Sequence, residues 1–370
     1  MKPAALTWLL LPFSKIYGVI TDVRNWLFDS GLLNIYKPEV FTIGVGNLTV
    51  GGTGKTPMIE FLIKRFSHTP ASIPYETATL SRGYGRSTKG FKIAADDDTA
   101  DTLGDEPLQL YRKFGQKVNR SHGPVSLGHT DPSSTGRVRV CVGERRADAI
   151  QKLLAEYPET KRVLLDDAFQ HRAVRPHLNL LLMDYNRPFF TDYPFPAGRL
   201  RERRSGAQRA DAIIVTKCPN SLSQPDQRAI SLRIRQYTQP QVPIFFAGLQ
   251  YDQPMSFALH QPTEWLGKVL LVSGLANANS LERYVQEKFS LERHYRFADH
   301  HAYSRHDLDS LLSQLRPGMG LLTTEKDWVK LDALLTPDER ATLPLYYLPV
   351  QVVFLEGDGD RFDQFIDAAR

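Results

Sequence analysis

The 370-residue chain holds only two cysteines, Cys141 and Cys218, too few for a disulfide framework and in keeping with a reducing compartment. It lacks any uninterrupted run of roughly 20 apolar residues, which argues against a membrane-spanning helix. It lacks the Asn-Lys-x-Asp signature that reads guanine, so a GTPase is disfavoured. No Cys or H-x3-H spacing supports zinc around His300, His301 and His306. No basic stretch is interleaved with stacking aromatics, which lowers a nucleic-acid reading. There is no internal repeat. What is present is ordinary globular composition, 42% hydrophobic and 24% charged, with 46 Lys and Arg against 41 Asp and Glu, in a chain long enough for two domains with real cores.

The most informative segment is Gly51-Gly52-Thr53-Gly54-Lys55-Thr56, directly after the apolar run Phe41 to Val45. A strand feeding a glycine-rich loop that ends in Gly-Lys-Thr suits a nucleotide's phosphates. Glycines let successive backbone N–H groups converge on phosphate oxygens, Lys55 supplies a cation, and the Thr56 hydroxyl suits Mg²⁺. Thr49 stands where the strict pattern has its first glycine. The following segment, with Pro57 in its first turn, predicts a helix whose N-terminal dipole faces the phosphates.

The N-terminal segment, residues 1–36, carries Trp8, Phe13, Ile16, Tyr17, Val19, Ile20, Val23, Trp26, Leu27 and Phe28 near helical spacing, with Lys15, Asp22 and Arg24 between them. The pattern suits either an amphipathic helix in a membrane interface or a helix packed on the protein's own core. A second basic feature is Arg199, Arg201, Arg203, Arg204 and Arg209, interrupted by the single acid Glu202.

Further strands are predicted at Thr77 to Leu80, Val138 to Val142, Arg162 to Leu165, Leu178 to Met183, Ala212 to Thr216 and Ile244 to Ala247, with helical stretches between them. Near-continuous Val, Ile and Leu runs in this order imply a parallel sheet covered on both faces. The expectation is α/β: a P-loop NTPase-type parallel sheet flanked by helices over 37–225, then a second, smaller α/β domain over 240–340. The polar stretch 218–243 reads as a junction, 119–137 as a surface excursion, and 341–370 as a strand-like segment, Leu345 to Leu355, with a tail.

Val163-Leu164-Leu165-Asp166-Asp167 has the form of an apolar strand ending in two carboxylates, one able to serve Mg²⁺ and the other a ligand or proton. In a parallel sheet these acids emerge at the same edge as the phosphate loop. Gly104-Asp105-Glu106-Pro107 reads as a helix start.

Together these segments resemble the tetraacyldisaccharide 4′-kinase family, the lipid A 4′-kinases of Gram-negative bacteria. The resemblance rests on Val45 to Pro57, Leu80-Ser81-Arg82-Gly83-Tyr84-Gly85-Arg86, Gly104 to Pro107, Glu144-Arg145-Arg146, Asp166-Asp167-Ala168-Phe169-Gln170-His171, Phe195-Pro196-Ala197-Gly198-Arg199-Leu200-Arg201-Glu202, Phe297-Ala298-Asp299-His300 and Thr324-Glu325-Lys326-Asp327. Ala168 stands where the family usually has glycine, and the 119–137 excursion is longer than usual.

The resemblance implies ATP- and Mg²⁺-dependent phosphorylation of the 4′-hydroxyl of an acylated glucosamine disaccharide 1-phosphate, a lipid A precursor. It implies work at the cytoplasmic face of the inner membrane, peripheral or monotopic, with no nucleic acid and no obligate protein partner. By the same resemblance, Lys55 and Thr56 hold phosphate and Mg²⁺, with Asp166, Asp167 and Glu202 in the metal's surroundings. Asp105 is the base and His300 its partner; Gln170, His171 and Arg145 are auxiliary contacts. Asp105 and His300 fall on different predicted domains, so domain closure is expected to bring them together. Two other classes fit the phosphate loop alone: a nucleotide-switch protein, and a soluble small-molecule kinase or ligase.

Overall fold

The protein is described here from a computed structural model, over residues 4–67, 76–115, 137–258 and 267–370. The first strands are β1 (Phe41–Asn47), β2 (Thr77–Ser81), β3 (Lys92–Ile93), β4 (Val138–Val142), β5 (Arg162–Asp166), β6 (Leu178–Asp184), β7 (Ala212–Thr216) and β8 (Ile244–Tyr251). They are followed by β9 (Met255–Ser256), β10 (Lys268–Ser273), β11 (Ser290–Arg296), β12 (Met319–Thr324), β13 (Leu345–Leu348) and β14 (Val350–Phe354).

Among the described residues these form a nine-stranded sheet, ordered β14-β8-β7-β6-β1-β5-β2-β4-β3, and a five-stranded sheet, β11-β10-β12-β13-β9. In the larger sheet every pairing from β8 across to β4 is parallel, and only the edge strands β14 and β3 are antiparallel. The apolar strands are buried on both faces, as parallel sheets require. Ile43 and Val45 pack with Met58, Ile59 and Leu62 of the helix Lys55–Ser67, while Leu181, Met183, Ile213, Val215 and Phe246 form a second core with Phe169. Each such fully buried Leu, Ile or Phe contributes roughly 1.5–3 kcal/mol. This is the α/β architecture read from the sequence.

Three segmental expectations change. The stretch 218–243 is not a junction: it holds the helix Gln224–Arg235, started by Ser223, whose hydroxyl accepts from Asp226 N, with Pro225 in the first turn. Parallel β7 and β8 need such a crossover, so the large sheet extends past residue 225 to Tyr251. Leu345 to Leu355 is two strands rather than one. Pro349 has no N–H for a ladder, and the chain changes sheets there, β13 pairing with β12 and β14 with β8. Finally, the C-terminal segment is no tail. The helix Asp358–Ala368 buries Phe362 and Ile366 in the large core, and Asp363 and Asp367 bind Arg65 of the phosphate-loop helix.

The N-terminal helix, Ala4–Asp29, does not bury its apolar side in the protein's core. It docks by its polar residues. Ser14 is buried and accepts from Ala197 N at 2.9 Å, Tyr17 donates to the Arg201 carbonyl at 2.9 Å, and Asn25 donates to Glu202 at 3.0 Å. Asp22 pairs with Arg203 and Asp29 with Arg172. Much of its apolar side faces outward, with Trp8 74%, Ile20 62% and Trp26 60% exposed. Among the described residues no helix is long and apolar enough to cross a membrane.

Candidate active site

β1 and β5 are parallel neighbours with Val45 opposite Asp166, so the phosphate loop and the paired acids leave the sheet at one place, outside the carboxyl ends of the strands. The loop bends through Gly51 (φ 118°) and Gly54 (φ 84°), backbone positions that a side chain disfavours. Asn47 donates to Thr53 Oγ1 at 2.9 Å, and Thr216 donates to the Thr53 carbonyl at 2.8 Å. Lys217 spans the Gly52 carbonyl and Asp184. The loop is thereby held from β1 and from the end of β7.

Lys55 Nζ lies 3.7 Å from Asp167 Oδ1. Arg201 Nη1 reaches both Asp167 oxygens, at 2.8 and 2.7 Å. Burial by itself would raise the Asp167 carboxyl, but Lys55 and Arg201 outweigh it and hold the group below the usual carboxylate range. Asp166 responds differently. Burial, then the charge of Glu106, push it up to about 7 against the pull of Lys55 and Arg146.

Asp166 Oδ1 is buried with no hydrogen-bond partner, an arrangement that costs free energy unless a ligand completes it. With Thr56 in the first turn of the helix Lys55–Ser67, the candidate donors are hard oxygens few in number. That is what Mg²⁺ takes when phosphates and water fill its remaining positions. Among the described residues no group of three or more His, Cys, Asp or Glu forms a protein-only metal cage.

Asp167 has φ 48°, and among the described residues the other non-glycine residues with left-handed backbone are Lys217 (φ 58°) and His300 (φ 59°). All three border this site, where such strain is commonly kept. Ala168 is not among them. The left-handed turn falls on Asp167, so alanine at 168 needs none of glycine's freedom, and Ala168 N donates to the Val45 carbonyl at 3.2 Å.

The helix Asp105–Leu110 starts at Asp105, on Gly104 with φ 96°. His300 Nδ1 lies 3.1 Å from Asp105 Oδ2. The two sheets already stand in contact here, without any further closure between them.

Other sequence-marked residues have different surroundings. Glu202 is buried and its oxygens are taken by Arg209 at 2.7 Å, Gln170 at 3.0 Å and Asn25 at 3.0 Å, so it braces the basic loop. Gln170 also donates to the Asn47 carbonyl at 2.9 Å, joining that brace to β1. His171 is driven down to about 4 by burial, then by Arg146, Arg82 and Arg24, and stays neutral at physiological pH. Arg145 is 83% exposed and pairs with Asp148. Its neighbour Arg146 is the buried cation, donating to the carbonyls of Gly143 and Asp166. The helical spacing of Arg146 with Ala149, Ile150 and Leu153 on the buried face was the signal for it. Arg201, Glu106, Lys217, Lys326 and Lys330 also border the site.

A buried ion triad ties the two sheets together behind the site. Lys113, on the π-helical turn Tyr111–Gly115, binds both Glu60 of the phosphate-loop helix and Glu325 of the helix Glu325–Asp332. Glu325 also accepts Val350 N at 3.0 Å, where the chain crosses between sheets. Burial, then Glu60, raise Glu325 to about 7; for Lys113 the two carboxylates overcome burial and keep it charged. Removing one member leaves uncompensated charge. Lys113→Met is expected to lower unfolding free energy by about 3–5 kcal/mol, read by denaturant titration. Adding Glu60→Gln and Glu325→Gln is expected to recover most of it. A loss below about 1 kcal/mol, the scale of an exposed pair, would overturn this view of the triad.

Comparison with known proteins agrees with this architecture. The family described as Tetraacyldisaccharide-1-P 4′-kinase matches residues 6–122 and 132–370, passing over part of the 119–137 stretch, whose expected surface excursion lies outside the described residues up to 136. A tetraacyldisaccharide 4′-kinase of Cytophaga hutchinsonii is 38% identical over 352 residues, covering 93% of this chain and 90% of the relative. Its counterpart in Flavobacterium johnsoniae is 37% identical, covering 94% and 92%. The solved structure of LpxK from Aquifex aeolicus in complex with ATP superposes with a TM-score of 0.69 at 25% identity, covering 98% of this chain and 99% of that one. A match over nearly the whole length, carried by sequence and architecture alike, means that this chain belongs to the tetraacyldisaccharide-1-P 4′-kinase family.

Proposed function

We propose that this protein transfers the γ-phosphoryl group of ATP, with Mg²⁺, to the 4′-hydroxyl of a tetraacylated glucosamine disaccharide 1-phosphate in lipid A biosynthesis. The observation that carries the reading is the 3.1 Å contact between Asp105 and His300, on segments 195 residues apart, in a chain of this kinase family.

In this reading Lys55 and the amides of Gly51 to Thr56 hold the β- and γ-phosphates, and Thr56 and Asp166 supply oxygen ligands. Bound Mg²⁺ would neutralise charge on the transferring group. Asp167, held by Lys55 and Arg201, stays ionised beside the phosphates and orients that lysine. Asp105 takes the proton of the sugar hydroxyl as its oxygen bonds to phosphorus; the β–γ bridging bond breaks and ADP keeps the electron pair. His300 orients Asp105. The test is transfer of labelled γ-phosphate from ATP to detergent-dispersed acylated disaccharide 1-phosphate. ATP binding without lipid product would favour a nucleotide switch.

The acyl chains of such a substrate stay in a bilayer, and the outward apolar face of the N-terminal helix suits the cytoplasmic face of the inner membrane as a peripheral contact. No nucleic acid or obligate protein partner enters the reading. Replacing Trp8, Ile16, Ile20 and Trp26 together by serine is expected to weaken association with anionic phospholipid vesicles at least about 100-fold, with ATP affinity unchanged. Deleting the helix is a poorer test, because Ser14, Tyr17 and Asn25 brace the loop that carries Arg201 and Glu202. Equal loss of vesicle and ATP binding by the serine variant would refute the membrane role.

A further inference from the structure

The helix Glu325–Asp332 follows β12 without a loop and is capped by Thr324, whose hydroxyl accepts from Asp327 N. Asp327 in turn accepts Gly274 N at 2.8 Å, and Glu325 enters the buried triad with Lys113 and Glu60. The start of this helix is therefore anchored to both sheets. Lys326 and Lys330 stand four residues apart on it, one turn above the other on a shared face.

Both lysines reach the Asp105–His300 pair. Lys326 Nζ lies 3.2 Å from His300 Nε2 and 2.9 Å from Asp299 Oδ1. Lys330 Nζ lies 2.8 Å from Asp105 Oδ2 and 3.1 Å from the His301 carbonyl. An ammonium group has donors and no acceptor. Opposite Lys326, Nε2 can therefore only accept, so the ring's one proton sits on Nδ1, which faces Asp105 Oδ2 at 3.1 Å. A protonated Nε2 would set two donors against each other.

We propose that Lys326 is a positioning residue that holds His300 in its Nδ1–H tautomer, so that the imidazole donates to Asp105, and that Lys330 holds the same carboxylate oxygen from the next turn. This rests on the reading of Asp105 as the base and specifies how the base works. The contacts of His300 and Lys330 fall on Oδ2, which leaves Oδ1 for the acceptor hydroxyl. The hydroxyl proton then stays on Asp105 during transfer, because the nitrogen facing it already carries one. Histidine here aims the base and does not relay its proton. The left-handed backbone of His300 (φ 59°) is the local strain that the two lysines and Asp299 offset.

The experiment uses the full-length protein with ¹⁵N-labelled histidine and a multiple-bond ¹H–¹⁵N correlation spectrum, His300 being assigned by the signals lost in His300→Gln. The wild type is expected to show the Nδ1–H tautomer, and Lys326→Met to lose that preference. In the phosphate-transfer assay Lys326→Met is expected to lower kcat about 10- to 100-fold with the KM for ATP unchanged, and Lys326→Arg to recover most of it. An Nε2–H tautomer in the wild type, or a Lys326→Met variant that loses turnover while keeping the Nδ1–H tautomer, would overturn the proposal. Asp105→Asn separates the two layers: if it retains full turnover, the base assignment fails, whereas the tautomer is read independently of turnover.

Discussion

Phosphoryl transfer by Asp105→Asn is expected to fall about 10²- to 10⁴-fold, the range a positioned general base contributes, with ATP affinity unchanged. Asparagine keeps the size of the side chain and an oxygen for Lys330 and His300 but takes no proton from a hydroxyl. The helix start is not endangered. Asp105 is the first helical residue after Gly104, and Gly104 makes no side-chain cap there; the adjoining turn is held by Pro107, Leu108 and Leu110, all buried. The measurement is initial-rate transfer of labelled phosphate to the dispersed lipid acceptor, beside calorimetric titration with ATP. A variant that loses ATP binding in proportion to turnover would show that Asp105 shapes the nucleotide pocket and is not the base.

Lys55→Met is expected to lower kcat/KM for ATP on the order of 10³-fold, the scale seen when one charge-stabilising group is removed from a transferring phosphoryl. Two effects combine. The phosphates lose their cation, and Asp167 loses one of the two positive charges that keep it ionised, being left with Arg201. The fold is expected to persist, because the helix that Lys55 opens is secured by Met58, Ile59, Leu62 and Ile63 in the core. Transfer assays and thermal unfolding of the same preparation separate the two. Unchanged ATP affinity and turnover in a folded variant would remove Lys55 from the site.

The parts of this protein that local chemistry decides were legible without coordinates. The apolar strands of the large sheet, the phosphate loop with its helix, and the acids at the end of β5 follow from side-chain runs and backbone demands within a few residues. The helix start at Asp105 is equally local. Pairing across long distances was not legible. Arg201 against Asp167, Lys330 against Asp105 and Lys326 against His300 join residues 34, 225 and 26 positions apart, and no pattern in one segment announces its partner in another. Glu202 shows the same limit from the other side. The family resemblance put it in the metal's surroundings, yet in the folded chain its oxygens meet Arg209, Gln170 and, from the N-terminal helix, Asn25.

That helix marks the boundary most clearly. Its alternation of apolar and charged residues made it amphipathic on paper and left open whether the apolar face meets a membrane interface or the protein's own core. In the tertiary structure it docks through Ser14, Tyr17, Asn25 and Asp22 on the 197–203 loop, with Trp8, Ile20 and Trp26 exposed. Residue order by itself determined the α/β class, the nucleotide loop and the family, since each rests on short-range backbone geometry and contiguous motifs. Only the folded chain decided that β13 and β14 part at Pro349 into different sheets, that the large sheet takes back the C-terminus, and that one helix carries two lysines to the Asp105–His300 pair. Those outcomes depend on which surfaces meet, and that is a property of the packed whole.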